Sequence, residues 1–257
     1  MTLQGKRILV TRPAEQAAKL AQMIAAQGGQ AVFFPLLEIG AADDPVPLQR
    51  AIEQLDDYAF AIFISPNAVA YALPQILAAC RWPRGLQAAA IGPSTTVQLA
   101  AQGIANVISP AGRFDSEALL ELPAFAAEAV AGKRVLLLRG NGGRELLAET
   151  LRQRGASVDA VTCYHRSPPA DGEPIVSLLR NRQLDALTIS SSEGLRNLLA
   201  LLDTDAFAQL FRLPLFVPHQ RIAQVAAELG LSRVVLSAPA DAGIIESLCA
   251  YNWFAHE

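Results

Sequence analysis

Residues 6–38 read KRILVTRPAEQAAKLAQMIAAQGGQAVFFPLLE, and residues 133–165 read KRVLLLRGNGGRELLAETLRQRGASVDAVTCYH. Each opens on a near-continuous apolar run, the pattern of a strand buried on both faces. In the first copy Arg7–Thr11 is that strand, and Pro13 stands at the start of a helix that runs to about Gln27. Gly28-Gly29 stops the helix, and Ala31–Phe34 is the next strand. This is one βαβ unit, repeated at an offset of 127 residues.

Two further blocks recur in the same order. AIFISPNAV around Ser65 matches ALTISSSEGL around Ser190, an offset of 125, and VQLAAQGIANVISP matches AQVAAELGLSRVVLSAP, with Gln98 against Gln224, an offset of 126. The rhythm common to all α/β chains accounts for one such block but not for three in phase. The chain therefore reads as a tandem duplication of an α/β unit. Further strands are expected at 59–64, 87–91, 105–108, 134–138, 157–162, 185–189, 214–217 and 233–236. Helices between them imply parallel sheets covered on both faces. The fold class that follows is α/β, with two similar lobes and a cleft between them.

Composition narrows the partners. The chain has 257 residues, 52% of them apolar and 18% charged, with a formal charge of −3. A charged fraction below the usual ~25% and abundant aliphatic residues exclude a disordered chain. With a pI near 5.7 the surface is a poor match for nucleic acid or an anionic membrane. No apolar run approaches the ~18 residues of a membrane span, and the apolar run that ends at Val10 is too short for a signal peptide. Cys80, Cys163 and Cys249 are odd in number and widely spaced, which speaks against disulfides or a zinc site and for a reducing cytoplasm. Eighteen of the 21 cationic side chains are arginine. Arginine suits carboxylate recognition, although coding bias explains the count equally well.

Open parallel sheets bind ligands at the carboxyl ends of their strands. Those positions hold Thr11-Arg12, Ser65-Pro66-Asn67, Gly92-Pro93-Ser94-Thr95, Arg139-Gly140-Asn141, Tyr164, Ser190-Ser191-Ser192 and Pro218-His219-Gln220. The set is rich in hydroxyls and carries two arginines, but it has no carboxylate pair. Such loops orient and solvate a polar substrate more than they run strong acid–base chemistry. Plainer readings exist for each. Ser65 and Ser190 to Ser192 are natural helix N-caps. Arg12 and Arg139 can pair with a nearby acid as readily as with a substrate carboxylate, and a tyrosine such as Tyr164 is usually packing. Gly140-Asn141-Gly142-Gly143 lacks the spacing of a phosphate loop and reads as a strand-to-helix turn. His165, His219 and His256 have no metal spacing. Tyr251-Asn252-Trp253-Phe254 reads as a helix end packing onto the core.

Taken together, ILVTRP (8–13), FISPNAV (63–69), IGPST (91–95), LLRG…GR..L...L...GA (137–156), VTCYHR (161–166) and ISSSEGL (189–195) resemble the uroporphyrinogen-III synthase family over essentially the whole chain. One departure is Pro218-His219-Gln220-Arg221, where that family often has Gly-Pro-Thr-Thr; Gln220 is the substitute donor. The resemblance implies lobes of residues 1–37 plus 167–257 and of 38–166. A two-stranded linker near 35–40 and 163–169 would join them and permit hinge motion. It implies a cofactor-free, metal-free lyase that cyclises hydroxymethylbilane to uroporphyrinogen III with inversion of the last ring. Tyr164 would assist loss of the terminal hydroxyl, since a phenol is protonated at neutral pH and can donate to the departing oxygen. Arg12, Ser65, Thr95, Arg139, Ser190, Ser191 and Gln220 would bind substrate. A cytoplasmic monomer is expected, with transient hand-over of substrate from the preceding deaminase. The alternative is a non-catalytic two-lobed cytoplasmic module that binds a small anionic ligand.

Overall fold

The structure, a computed structural model, describes residues 2–143 and 145–253. Its strands are β1 (Arg7–Val10), β2 (Gln30–Phe33), β3 (Glu38–Ala41), β4 (Tyr58–Phe63), β5 (Gln87–Ala90), β6 (Arg134–Gly140), β7 (Ser157–Ser167), β8 (Ala186–Thr188), β9 (Leu215–Val217) and β10 (Val234–Leu236). They form two five-stranded sheets, ordered β10-β9-β8-β1-β2 and β3-β7-β6-β4-β5. The chain divides into two compact units. One holds the residues up to Glu38 and those from Ser167 onward, the other Ile39–Arg166. The chain passes from one unit to the other within β3 and again within β7, and these two strands are neighbours in the second sheet.

In the first unit β1 pairs in parallel with β2 and β8, and β9 pairs in parallel with β8 and β10. This is the doubly wound order, with its switch point between β1 and β8. The second unit repeats the pattern, with β6 in place of β1, β7 for β2, β4 for β8 and β5 for β9. The duplication thus runs across the units rather than within them: β1 and β2 of the first repeat complete a sheet with β8 to β10 of the second. A repeat read as a lobe would have misplaced β1, β2, β6 and β7, four of the ten strands.

Alternation along the central strands explains why both faces are covered. Ala61 and Phe63 of β4 join one cluster with Val69, Leu73 and Ile76, whereas Phe60 and Ile62 join another with Leu119, Phe125 and Leu151. In the first unit Leu9 faces Ile175, Leu195 and Leu198, while Ile8 and Val10 face Leu20, Ile24 and Phe216. The side chains alternate with period two, and helices bury both sets. Amphipathic helices such as Glu173–Arg180 supply the cover, with Ile175, Val176 and Leu179 buried.

Three local features differ from the sequence expectation. The strand expected over 105–108 is a single bridge, Ala89 to Ile108, because Asn106 has φ +56 and breaks the extended run. β3 is missing from the strands read from apolar runs, since its Glu-Ile-Gly-Ala has only one partly buried apolar residue to signal it. β7 continues to Ser167, carrying the Tyr164 region inside a strand instead of leaving it at a strand end. At the carboxyl end, Tyr251 and Trp253 pack on Phe216 with ring centroids 5.5 and 6.4 Å away; Phe254 of that aromatic run, His256, and Arg144 of the LLRG motif lie outside the described residues. No described helix is long and apolar enough to cross a membrane.

Candidate active site

The carboxyl ends of β4 and β6 in the second unit meet Tyr164 of β7. The β6–β7 register jumps there, with Arg139 opposite Thr162 but Gly140 opposite Tyr164. Cys163 is the extra residue of a β-bulge, a device that re-aims a side chain. As a result Cys163 and Tyr164, adjacent in a strand, both enter the same core cluster. The Tyr164 ring lies directly on Gly140: a Cβ on that glycine would fall 2.5 Å from the ring Cζ. Tyr71 lies in near-stacked orientation, its ring centroid 6.1 Å away. The tyrosine is only 2% exposed, and its hydroxyl is 3.0 Å from the Ser65 Oγ.

Ser65 is the N-cap of the helix Pro66–Ala79, and its Oγ accepts from the Ala68 N–H at 3.2 Å. That bond uses an acceptor site and leaves the serine hydrogen available for the Tyr164 oxygen. Either hydroxyl can donate in this contact, and with the serine as donor the phenol hydrogen is left for a ligand. Nearby, Asn141 takes the Arg166 N–H with its Oδ1 at 2.6 Å and donates Nδ2 to the Arg166 carbonyl at 2.9 Å. A side chain thereby completes the strand edge beside the tyrosine.

Arg139, with a side chain 12% exposed, makes a 2.7 Å ion pair with Glu145 and donates to the Gly142 carbonyl at 3.1 Å. The guanidinium holds the Glu145 carboxyl below its ordinary range. Arg139 borders an open hollow at the ends of β4, β5 and β6, lined also by Ile64, Ile91, Ser116 and Gly143. Gly142 and Gly143 turn the chain there at φ +71 and +102, conformations that exclude most other residues. Thr95 is in the first turn of the helix Pro93–Ala101 and is 2% exposed.

In the first unit the switch point is tied by two buried threonines. Thr11 donates to the Thr188 carbonyl at 2.8 Å, and Thr188 donates to the Leu9 carbonyl at 3.1 Å. Arg12, next in the chain, pairs with Asp241. Ser191 caps the helix Ser192–Leu201, accepting from the Gly194 N–H at 2.9 Å. Ser65 therefore matches Ser191, not Ser190, and the repeat offset here is 126, in step with the Gln98–Gln224 block. Ser190 is partly buried, and Gln220 is exposed as the first residue of the helix Gln220–Glu228. Tyr164, Ser65 and Gly140 thus form one cluster, and Arg139 stands on the same sheet edge. Arg12, Ser190, Ser191 and Gln220 belong to the strand ends of the other unit.

A family model described as uroporphyrinogen-III synthase HemD matches residues 18–246. The chain belongs to the uroporphyrinogen-III synthase family. A uroporphyrinogen-III synthase of Salmonella typhimurium is 36% identical over 239 residues, covering 91% of this chain and 96% of its own. That of Escherichia coli is 34% identical over 237 residues, with the same coverage. In fold the chain is similar to a mutant uroporphyrinogen III synthase from the thermophilic bacterium Thermus thermophilus, with TM-score 0.62, 16% identity, and 94% and 96% of the two chains covered. The Helicobacter pylori enzyme gives TM-score 0.55 at 15% identity, covering 94% and 97%. Family membership supports synthase function, and no observation favours the non-catalytic module.

For a member of this family, the cluster offers hydrogen-bond donors and cations rather than a strong base or a nucleophile. The described residues include no group of three or more His, Cys, Asp or Glu side chains able to hold a metal. Cys163 is no nucleophile either. It is 2% exposed, and burial pushes its thiol up to about 12. A thiol reagent at pH 8 is expected to modify Cys80 and Cys249 in the native protein and Cys163 only after denaturation, as read by mass spectrometry; labelling of native Cys163 would contradict its burial. At the amino-terminal edge of the same sheet, Tyr58, Asp159 and Arg134 form a separate polar network. Tyr58 donates to Asp159 at 2.6 Å and Arg134 reaches the same carboxylate at 2.8 Å. Burial tends to raise Asp159, but these bonds outweigh it and hold the carboxyl below its ordinary range, while burial and the Asp159 contact push the Tyr58 phenol up. These groups satisfy one another, which marks a structural lock. Glu145 and Asp241 were absent from the sequence candidates, and Gly140 was read there only as part of a strand-end turn, not as the seat of the Tyr164 ring.

Proposed function

We propose that the chain cyclises hydroxymethylbilane to uroporphyrinogen III, as a hydro-lyase that needs no cofactor. The observation that carries this reading is the family match over residues 18–246. We assign the Tyr164–Ser65 pair on Gly140 to its site. The reaction begins when the C–O bond of the terminal hydroxymethyl group breaks. Its electron pair leaves with oxygen, which departs as water after gaining a proton, and an azafulvene cation remains. A carbon of the far ring attacks this cation and forms a spiro intermediate. One carbon–carbon bond then breaks and reforms in the inverted sense, and loss of a proton restores the pyrrole. In this scheme Tyr164 donates its hydrogen to the departing oxygen, while Ser65 donates to Tyr164 and fixes the direction of that bond.

The substrate closes unaided to the uninverted isomer, so the protein's task is to hold one conformation and steer the attack. Arg12 and Arg139 are assigned to substrate carboxylates, and Ser65, Thr95, Ser190, Ser191 and Gln220 to its polar groups. A net charge of −3 does not attract a polycarboxylate, so local arginines must supply the field. We take the two compact units as the enzyme's lobes, the chain as a monomer, and the cytoplasm as its location, in keeping with free Cys80, Cys163 and Cys249. Substrate hand-over from a deaminase belongs to the same proposal. The test is a coupled assay in which a deaminase makes hydroxymethylbilane from porphobilinogen, this protein is added, and the oxidised porphyrins are separated by chromatography. Predominant isomer III above the protein-free control is expected, whereas isomer I alone from folded protein would overturn the reading.

A further inference from the structure

Arg12 leaves the end of β1 beside β8, at the switch point where this sheet order gathers its ligands. Its guanidinium already holds a carboxylate. Asp241 reaches it from the first turn of the last described helix, Ala240–Ala250, and the two side chains are only 18% and 13% exposed. The contact is a single one, Nη1 to Oδ1, rather than the two-pronged fork that arginine forms with a freely placed carboxylate.

The chain adopts an unfavourable path to deliver this acid. Ala240 has φ +66, a left-handed conformation that a Cβ-bearing residue adopts only when its surroundings hold it there. Three residues on, Gly243 packs so closely on Ala238 that a Cβ would overlap the Ala238 carbonyl. The helix has Pro239 at its N-cap and no side-chain cap bond. Asp241 thus sits on a constrained turn, with its carboxylate spent on Arg12 and not on the helix's own N–H groups.

We propose that Asp241 is an internal carboxylate seated in the substrate-carboxylate position of Arg12, and that a substrate carboxylate displaces it on binding. This rests on the function proposed above. Asp241 keeps Arg12 extended and ordered while the site is empty, and it sets a threshold that only a carboxylate able to form the full fork overcomes. Asp241 is therefore a specificity-determining residue that acts through Arg12.

The test measures KM for enzymatically generated hydroxymethylbilane and, separately, the Kd of uroporphyrin III by fluorescence. The proteins are the full chain, Asp241→Asn, Arg12→Gln and the double variant. Freeing Arg12 in Asp241→Asn is expected to lower both constants by roughly 5- to 10-fold, the lower end of the usual coupling between linked sites. Arg12→Gln is expected to raise them, and the double variant should behave like Arg12→Gln. Constants that rise or stay unchanged in Asp241→Asn would overturn the proposal and leave a plain helix-docking ion pair. Ala240→Gly eases the turn and favours the paired state, so it should raise both constants together with Tm; a fall in either constant would also contradict the proposal. If the wild-type chain makes only isomer I, the functional reading fails, while the uroporphyrin III arm still decides whether Asp241 occupies a carboxylate seat.

Discussion

Gly140→Ala is expected to cut the rate of isomer III formation by about 100-fold while leaving the protein folded. The added methyl would stand 2.5 Å from Cζ and 2.9 Å from the hydroxyl oxygen of Tyr164. Contacts that short cannot persist, so the ring must move, and the helix Pro66–Ala79 blocks retreat toward Ser65. Displacing a positioned group by about 1 Å costs on the order of 100-fold in rate. The ring shift also costs about 1–3 kcal/mol of stability, the usual range for overpacking. A double-mutant cycle separates the two effects. In a Tyr164→Phe background the hydroxyl is already gone, so adding Gly140→Ala should lower stability by the same amount with little further loss of rate. A full second loss of activity would mean that Gly140 acts through something other than the tyrosine.

Phe216→Ala is expected to remove about 3–5 kcal/mol of stability, the range for deleting a fully buried phenylalanine. Phe216 is 0% exposed on β9, which lies between β8 and β10. It packs with Ile8, Val10, Ile244 and Leu248, and with the rings of Tyr251 and Trp253. Those rings form the carboxyl-terminal cover of the core, so one deletion opens a cavity and unseats two aromatic partners. Phe216→Leu, closer in volume, should cost about 1.5 kcal/mol or less. Urea titration followed by circular dichroism and by Trp253 fluorescence measures both. A loss under about 1 kcal/mol for the alanine variant would show that β9 is not central to that core.

Much of this could be read from the sequence where residues act locally. The run at Arg7–Thr11 formed β1, the repeat placed its counterpart at β6, and Ser65 capped a helix as its place before Pro66 suggests. The features that organise the site depend on distant partners. Nothing near Arg12 points to Asp241, 229 residues away. The bulge at Cys163 is hidden because VTCYH reads equally well as a regular strand, and only the jump in register against β6 exposes it. The serine match failed by one position because ISSSEGL offers three candidate caps, and geometry selects Ser191. The exchange of strands between the repeats is likewise invisible to periodicity, since a repeat reports ancestry and not which strands pair.

In the proposed reaction Tyr164, seated on Gly140 and bonded to Ser65, helps the substrate hydroxyl to depart. The most direct measurement is the isomer ratio and initial rate of Tyr164→Phe in the coupled porphyrin assay, beside the wild-type chain at equal protein concentration. The phenylalanine keeps the ring and its packing and removes only the oxygen. A fall in isomer III rate of about 100-fold is expected, the lower end of what general acid catalysis contributes, with unaided isomer I taking up the flux. Unchanged rate and ratio in a folded variant would remove Tyr164 from the mechanism.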